Sequence, residues 1–376
     1  MANVLALVTF KVFPPQMGGQ KGVALFYLHL AKYLKVTLAI TPDNDMQEAK
    51  AYGVEAKPLL YSNKHIYRNL TRLGKFRQLL RTASIDALMS EHSYPSFLAL
   101  WLRRITGVPF IVHSHNIEAL RFRQMGRWWW KAYQLYEGWV HRQADFNFFI
   151  SPVDKEYAIK KFGLEPHKCA VITYGVEQKS CPPATDKPSL KKSLGFREED
   201  LLFLFNGTLD YAPNVSAVQV LVQKIAPLLS TLLPTYQIVI TGARAAPDFI
   251  DQLHSHPAIA YRGFVDDINL YYQAADLFVN PVTNDSGVKT KVIESIANNC
   301  TVISFAGGAS GLLTEVCGAK LLTVPEGDHE ASSRLVVDQV KKEQPNTPPA
   351  FYESYNWDNI AQKAATLINK VTSKHV

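Results

Sequence analysis

The chain has 376 residues, 47% of them hydrophobic and 19% charged, with a formal net charge of +7. At roughly 100–200 residues per domain this length predicts about two domains, and the composition fills whole cores, which excludes a wholly disordered chain. Four cysteines (Cys169, Cys181, Cys300, Cys317) without C-x-x-C spacing argue against a disulfide-framed scaffold and a zinc ribbon, and fit reduced thiols in a cytosolic protein.

Residues 1–10 lack a basic n-region and a cleavage site, so no signal peptide is expected. No uninterrupted apolar stretch reaches about 18 residues, so no membrane-spanning helix is expected. Charge is uneven. Residues 1–178 hold 23 basic and 13 acidic side chains, whereas 179–376 hold 17 and 20. Seven basic residues and no acid lie between Ala56 and Ile85. A basic first half points to an anionic partner or to a plain solvated face.

In chain order, short β-rich apolar runs alternate with amphipathic segments. Asn3–Thr9, Val36–Thr41, Ile85–Ser90, Phe110–His113, Phe146–Ile150 and Ala170–Thr173 read as buried parallel strands. Val23–Leu34, Ile66–Arg81, Ser96–Ile105, Arg127–Arg142 and Pro152–Phe162 read as helices between them. A proline-containing segment, Glu177–Pro188, then reads as a linker. The pattern restarts with strands at Leu201–Phe205, Gln237–Thr241, Ile259–Tyr261, Leu277–Asn280, Thr301–Phe305 and Lys320–Thr323. Its helices are Asn214–Leu233, Ile268–Ala274, Lys289–Asn298 and His329–Lys342. A second proline-rich loop, Gln344–Ala350, precedes a last helix, Asn356–Val371. Repeated βα units imply an α/β chain of two doubly wound Rossmann-like domains. Such sheets bind ligands at the carboxyl ends of their strands, so two facing domains make a cleft enzyme.

Three loops carry the chemistry. Pro14 to Gly22, with Gly18, Gly19 and Lys21, follows the first strand and opens a helix, which suits a phosphate or a plain turn. It matches neither G-x-G-x-x-G nor a P-loop. Phe203 to Asn214, with Gly207 and Thr208, repeats that arrangement in the second half. In Asn280 to Ala297, Lys289 and Lys291 sit at the start of a helix, against the dipole preference, and an anion there resolves the conflict. Lys291 and Glu294, three apart, share a face and either grip one ligand or form a surface ion pair.

With these segments in view, the chain resembles the retaining glycosyltransferases of group 1 (family 4) over nearly its whole length. The motifs are the Gly18-Gly19 loop with Leu30, Ala31 and Leu34, then Ser151, Gly175-Val176-Glu177, and Gly207 to Asn214. Gly263-Phe264-Val265, Tyr271 to Pro281, and Asn356-Trp357 complete the set. Each is weak alone and the combination is specific. The resemblance implies the GT-B fold, with 1–178 an acceptor-side domain, 179–350 a nucleotide-sugar domain and 351–376 a helix crossing back to the first. Two departures stand out. Most members carry two acids eight apart; Glu294 fits the second, but Ser286 stands at the first and Asp285 one residue off. The usual Arg/Lys pair after the second-domain glycine is replaced by Thr208 and the Pro213-Asn214 step. A branch with Gly-x-x-x-Lys-x-x-Glu, here Gly287, Lys291 and Glu294, is similar and works in surface and exopolysaccharide assembly.

The resemblance implies that Glu294 holds donor ribose hydroxyls and that Lys291, with Lys289 and backbone N–H groups, stabilises the departing diphosphate. Gly18, Gly19, Gly207, Thr208 and Gly287 lie along the donor, Phe264 and Val265 near its base, Gly307 and Gly308 near its sugar. His115 resembles the family's histidine near that sugar and is counted with Lys291 and Glu294 as catalytic, though not as a base; the alternative is a satisfied strand-end histidine. No protein nucleophile, metal or bound cofactor is expected; the substrate is a nucleoside-diphosphate sugar of UDP or GDP type. The acceptor is a glycan or lipid-linked. Arg68, Arg72 and Lys75 on one helical face suit the acceptor or an anionic membrane surface, and Trp128-Trp129-Trp130 beside Arg127 and Lys131 suit lipid headgroups, stacking on sugars, or core packing. A cytoplasmic, peripheral location follows, with no nucleic-acid partner. A non-catalytic sugar-nucleotide or glycan-binding protein and a sugar-nucleotide epimerase are alternative readings of the same fold.

Overall fold

A computed structural model describes residues 1–283 and 286–374. The chain divides into two compact units. The first comprises 1–177, 286–288 and 355–376, the second 178–285 and 289–354. The return to the first unit therefore begins at Tyr355, not at 351.

The first unit holds a seven-stranded sheet of β1 (Asn3–Leu7), β2 (Lys35–Ala39), β3 (Glu55–Lys57), β4 (Ala87–Glu91), β5 (Phe110–Ser114), β6 (Phe146–Phe149) and β7 (Cys169–Val171). Its order is β3-β2-β1-β4-β5-β6-β7, and every pair is parallel. The second unit holds β8 (Leu201–Asn206), β9 (Tyr236–Thr241), β10 (Ile259–Gly263), β11 (Leu277–Asn280), β12 (Thr301–Phe305) and β13 (Leu321–Val324). Their order is β10-β9-β8-β11-β12-β13, again all parallel. Both are doubly wound sheets whose order reverses at the first strand. The central strands β1, β4, β5 and β12 are buried along their whole length. That is why they read as mostly apolar runs, their polar residues falling chiefly at the strand ends.

The edge and irregular elements depart from expectation. The short strand β3 and helices Met46–Ala51, Glu118–Gln124, Pro247–His254 and Pro349–Tyr355 have no counterpart in the sequence reading. The expected helix Ile66–Arg81 is a 3-10 segment, Asn63–Arg72, followed by an α-helix, Leu73–Thr82. The Arg127–Arg142 helix starts at Trp130, so Arg127 and Trp128 precede it. The linker ends early: Asp186 caps a helix, Lys187–Ser193, with Pro188 in its first turn, where a missing N–H costs nothing. Helix Ala212–Leu232 is long and apolar enough to cross a membrane, with mean hydropathy 1.4. Ala217, Val218, Leu221, Val222, Ile225, Ala226 and Leu229 nevertheless sit in the core of the second unit.

Helix Trp357–Thr372 packs on helix Gly18–Leu30 within the first unit. The Gly175-Val176-Glu177 motif has a structural role here. Val176 N–H donates to the Tyr355 carbonyl (2.7 Å) and Trp357 N–H to the Val176 carbonyl (3.0 Å). A Cβ on Gly175 would lie 2.5 Å from the Tyr355 oxygen. Trp357 is buried beside Tyr174 and stacks on His29, and Asp358 binds both His29 and Lys32. Trp357→Ala is expected to lower unfolding stability by about 3–5 kcal/mol, read by urea denaturation.

Candidate active site

In the second unit the chemistry collects at strand carboxyl ends. Lys291, in the first turn of helix Thr290–Ala297, reaches back across the end of β8. Its Nζ donates to the Asn206 carbonyl (2.9 Å) and to Asn214 Oδ1 (2.8 Å), and sits 4.0 Å from the centre of the Phe205 ring. Burial, and next the neighbouring Lys289, push this ammonium down to about 7, against the pull of Glu294. Asn214 in turn donates from Nδ2 to the Thr208 carbonyl (2.9 Å). Thus the Thr208 and Asn214 positions, which lack the expected Arg/Lys pair, form a seat for a lysine delivered by another helix. Gly207 is needed there: its φ is +155° and a Cβ would strike the Asn214 side chain at 2.6 Å.

Glu294 lies one turn along the same helix, half-buried. Tyr272 Oη is 3.2 Å from Glu294 Oε2 and 3.3 Å from the Lys291 carbonyl. Burial, then the Glu294 charge, hold Tyr272 well above the usual phenol value, so it stays a donor to the carboxylate. Lys289 caps the helix and is half-buried. The loops after β8, β9 and β10 are tied side by side: Gly207 N–H donates to the Thr241 carbonyl, Gly242 N–H to the Gly263 carbonyl. The exposed Phe264 ring and half-buried Val265 follow at the end of β10. Gly307 and Gly308 open the turn after β12, where a Cβ would lie 2.3 Å from Glu326 Oε1 and 2.4 Å from Asn280 Nδ2 respectively. Among the described residues, the buried Asn206 Oδ1, Thr241 Oγ1 and Asn280 Oδ1, all at strand ends, have no hydrogen-bond partner. Unpaired buried oxygens are costly, and donors on a ligand relieve that cost.

The first unit has its own centre at the ends of β4 and β5. Glu91 is fully buried and accepts from Tyr27 (2.5 Å), from His113 Nδ1 (3.1 Å) and from His115 Nε2. Burial opposes its ionisation, yet the two imidazoles hold the carboxyl well below the usual range. Burial and the adjacent His92 push His115 down to about 4. The neutral ring donates Nε2–H to Glu91 and accepts at Nδ1 from Tyr174 (3.0 Å). Both nitrogens of the ring are thus engaged within the first unit. Ligand-type atoms of Glu91, His113 and His115 lie within 4.8 Å of one another, already joined by these bonds. Beside them Glu118 pairs with Arg121 (2.6 Å) and accepts from Tyr94 (2.5 Å). Glu137, pushed up to about 8 by burial, accepts the N–H groups of Glu118 and Ala119. None of Tyr27, Glu91, Tyr94, Glu118, Glu137 or Tyr174 was singled out by the sequence.

Gly18 and Gly19 open helix Gly18–Leu30, and Gln20 Oε1 accepts the N–H groups of Gln16 and Met17 just before it. The close approach in this helix is at Gly22, where a Cβ would lie 2.6 Å from the Tyr174 ring. Gly287 has φ +66°, and a Cβ there would lie 2.6 Å from Asn116 Oδ1. Asp285 lies outside the described residues; Ser286 is described and half-buried. The guanidinium groups of Arg68 and Arg72 both lie over the Tyr61 ring, at 5.7 and 4.2 Å, while Lys75 is exposed. Trp128 is 89% exposed, whereas Trp129 packs on Phe122.

Solved structures share this architecture. Sucrose-phosphate synthase from Thermosynechococcus elongatus superposes with a TM-score of 0.77 at 16% identity, over 99% of this chain and 100% of its own. Anabaena Alr3699/HepE in complex with UDP superposes at 0.74 with 13% identity, over 98% and 100%. The fold is that of the GT-B glycosyltransferases. Residues 18–179 match the model for Glycosyltransferase Family 4, and residues 200–341 that for Glycosyl transferases group 1. The chain belongs to the group 1, family 4 type glycosyltransferases. An Escherichia coli UDP-Gal:alpha-D-GlcNAc-diphosphoundecaprenol alpha-1,3-galactosyltransferase is 24% identical over 238 residues, 60% of this chain. The match spans 59% of that enzyme's length.

Two outcomes are expected. NMR of the labelled Lys291 amine in the unliganded protein gives a midpoint near 7, absent from the spectrum of Lys291→Arg. Gly207→Ala costs about 1–3 kcal/mol in urea denaturation, because a side chain at that φ strikes Asn214.

Proposed function

We propose that this protein transfers a hexosyl group from a UDP-sugar, with retention at the anomeric carbon, to a glycan or lipid-linked acceptor in surface polysaccharide or lipopolysaccharide assembly. The observation that carries the reading is the lysine held at the end of β8 three residues before Glu294. An ammonium pre-aimed by two oxygens is ready to meet the diphosphate charge that grows as the glycosidic bond breaks, without reorganising at that moment. Glu294, oriented by Tyr272, accepts the ribose hydroxyls. The helix N-terminus adds N–H groups for the same anion.

UDP rather than GDP is supported by the UDP bound in the Anabaena structure and by the UDP-Gal donor in the name of the E. coli relative. A lipid-linked acceptor is supported by the diphosphoundecaprenol in that same name. The lysine and helix terminus supply positive charge where other transferases use a divalent ion, so transfer proceeds in EDTA. A cytoplasmic enzyme working at the membrane surface fits such an acceptor.

Calorimetry with UDP, GDP and ADP tests the donor site. UDP is expected to bind most tightly and to weaken at least tenfold in Glu294→Ala, about 1.4 kcal/mol. Failure of all three to bind folded protein would favour the non-catalytic reading.

A further inference from the structure

The first unit carries an apolar cavity of ≈ 270 Å³, lined chiefly by Ile66, Leu70, Tyr94, Pro95, Phe97 and Leu98. Its two walls are the 3-10 segment Asn63–Arg72 and the start of helix Ser96–Thr106. Tyr94 sits at its polar end, where the hydroxyl bonds Glu118 and Arg121. The surroundings are of two kinds. Along helix Ser96–Thr106, Phe97, Trp101 and Ile105 recur every fourth residue and remain 47%, 50% and 44% exposed. Phe97 stacks on Tyr136 at 5.0 Å and lies 6.0 Å from Trp139. The 3-10 wall carries Lys64 and Arg68, both exposed, with Arg72 fixed by the Tyr61 ring and the Leu59 carbonyl (2.9 Å). No acidic residue occurs between Ala56 and Ile85.

An apolar slot whose 3-10 wall segment also carries the exposed basic residues Lys64 and Arg68 matches a hydrocarbon chain attached to an anionic head. A hydrocarbon chain gains most from leaving water for such apolar walls, and a free anion gains nothing from the slot. We propose that this cavity takes the first tail carbons of a phosphate-linked lipid acceptor while Arg68 and its basic neighbours meet the phosphate. The proposal rests on the lipid-linked acceptor in the reading above. The exposed aromatic row continues the apolar surface for the remainder of the tail.

Calorimetry tests it, with farnesyl diphosphate, dodecyl phosphate and inorganic pyrophosphate below micellar concentrations. Wild-type protein is expected to bind farnesyl diphosphate at least tenfold more tightly than pyrophosphate. Ile66→Trp, which fills the slot, is expected to lose at least tenfold for farnesyl diphosphate and to keep its UDP affinity. Leu70→Trp serves if Ile66→Trp does not fold. Equal affinity for dodecyl phosphate assigns the slot to any hydrocarbon chain, and a tenfold preference for farnesyl diphosphate assigns it to isoprenoids. Equal binding of pyrophosphate and farnesyl diphosphate, or no effect of the filling variants, overturns the tail site. So does vesicle binding that the variants leave intact in a protein that ignores farnesyl diphosphate; that result turns the face into a bilayer contact. Loss of UDP binding in the wild type would instead count against the transferase reading and leave the tail result standing.

Discussion

Parallel pairing is the constraint from which the rest follows. Every strand in both sheets runs the same way as its neighbours, so each connection must return by a crossover and every strand ends on the same edge of its sheet. Residues far apart in the chain are thereby delivered to one rim. In the first unit Glu91 ends β4, His113 lies near the end of β5, His115 just past it, and Tyr174 just beyond β7. In the second, Asn206, Thr241 and Asn280 end β8, β9 and β11. Reactive groups held by rigid strands lose little freedom on meeting a substrate, which is what positioning a sugar donor demands.

Both rims place an ionisable group where water is scarce, and they solve the cost differently. Glu91 is ringed by three side-chain donors, Tyr27, His113 and His115. A carboxylate so fully satisfied is a fixed anchor, and its effect is to lock the orientation of His115. Lys291 has two oxygens and an aromatic face for an ammonium that has three protons. Among the described residues these two oxygens and the ring face meet it, and burial, then the neighbouring Lys289, weakens its preference for the charged state. In the proposed reading an arriving diphosphate restores what burial removed, so that one centre stays as it is and the other changes when ligand binds.

Much of this was legible in the sequence, and the limits have physical causes. Central strands such as Leu277–Asn280 and Thr301–Phe305 were readable to the residue, because a strand buried on both faces is mostly apolar and β-branched or aromatic. The edge strand Glu55–Lys57 carries two charges in three residues and shows no such run. The 3-10 segment Asn63–Arg72 has a helical spread of basic residues, and only the stacking of Arg68 and Arg72 on Tyr61 explains how they gather. Lys291 and Glu294 could be found because they lie three apart on one helix. Asn214 as the partner of Lys291 could not, since 77 residues separate them. Glu91 and Tyr174 sit in ordinary strand-end sequences and become a site only through long-range contact with His115.

The central claim is that Lys291, held at the end of β8, is the cation that receives the diphosphate. UDP affinity measured by calorimetry from pH 6.5 to 9, in wild type and Lys291→Arg, tests it most directly. With an ammonium that titrates near 7 when free and is stabilised by the anion, wild-type affinity falls as pH rises above 7, by up to about tenfold per unit. In Lys291→Arg, whose guanidinium stays charged throughout, that fall disappears. A wild-type affinity that is flat over this range, or a fall that Lys291→Arg reproduces in full, would contradict the account.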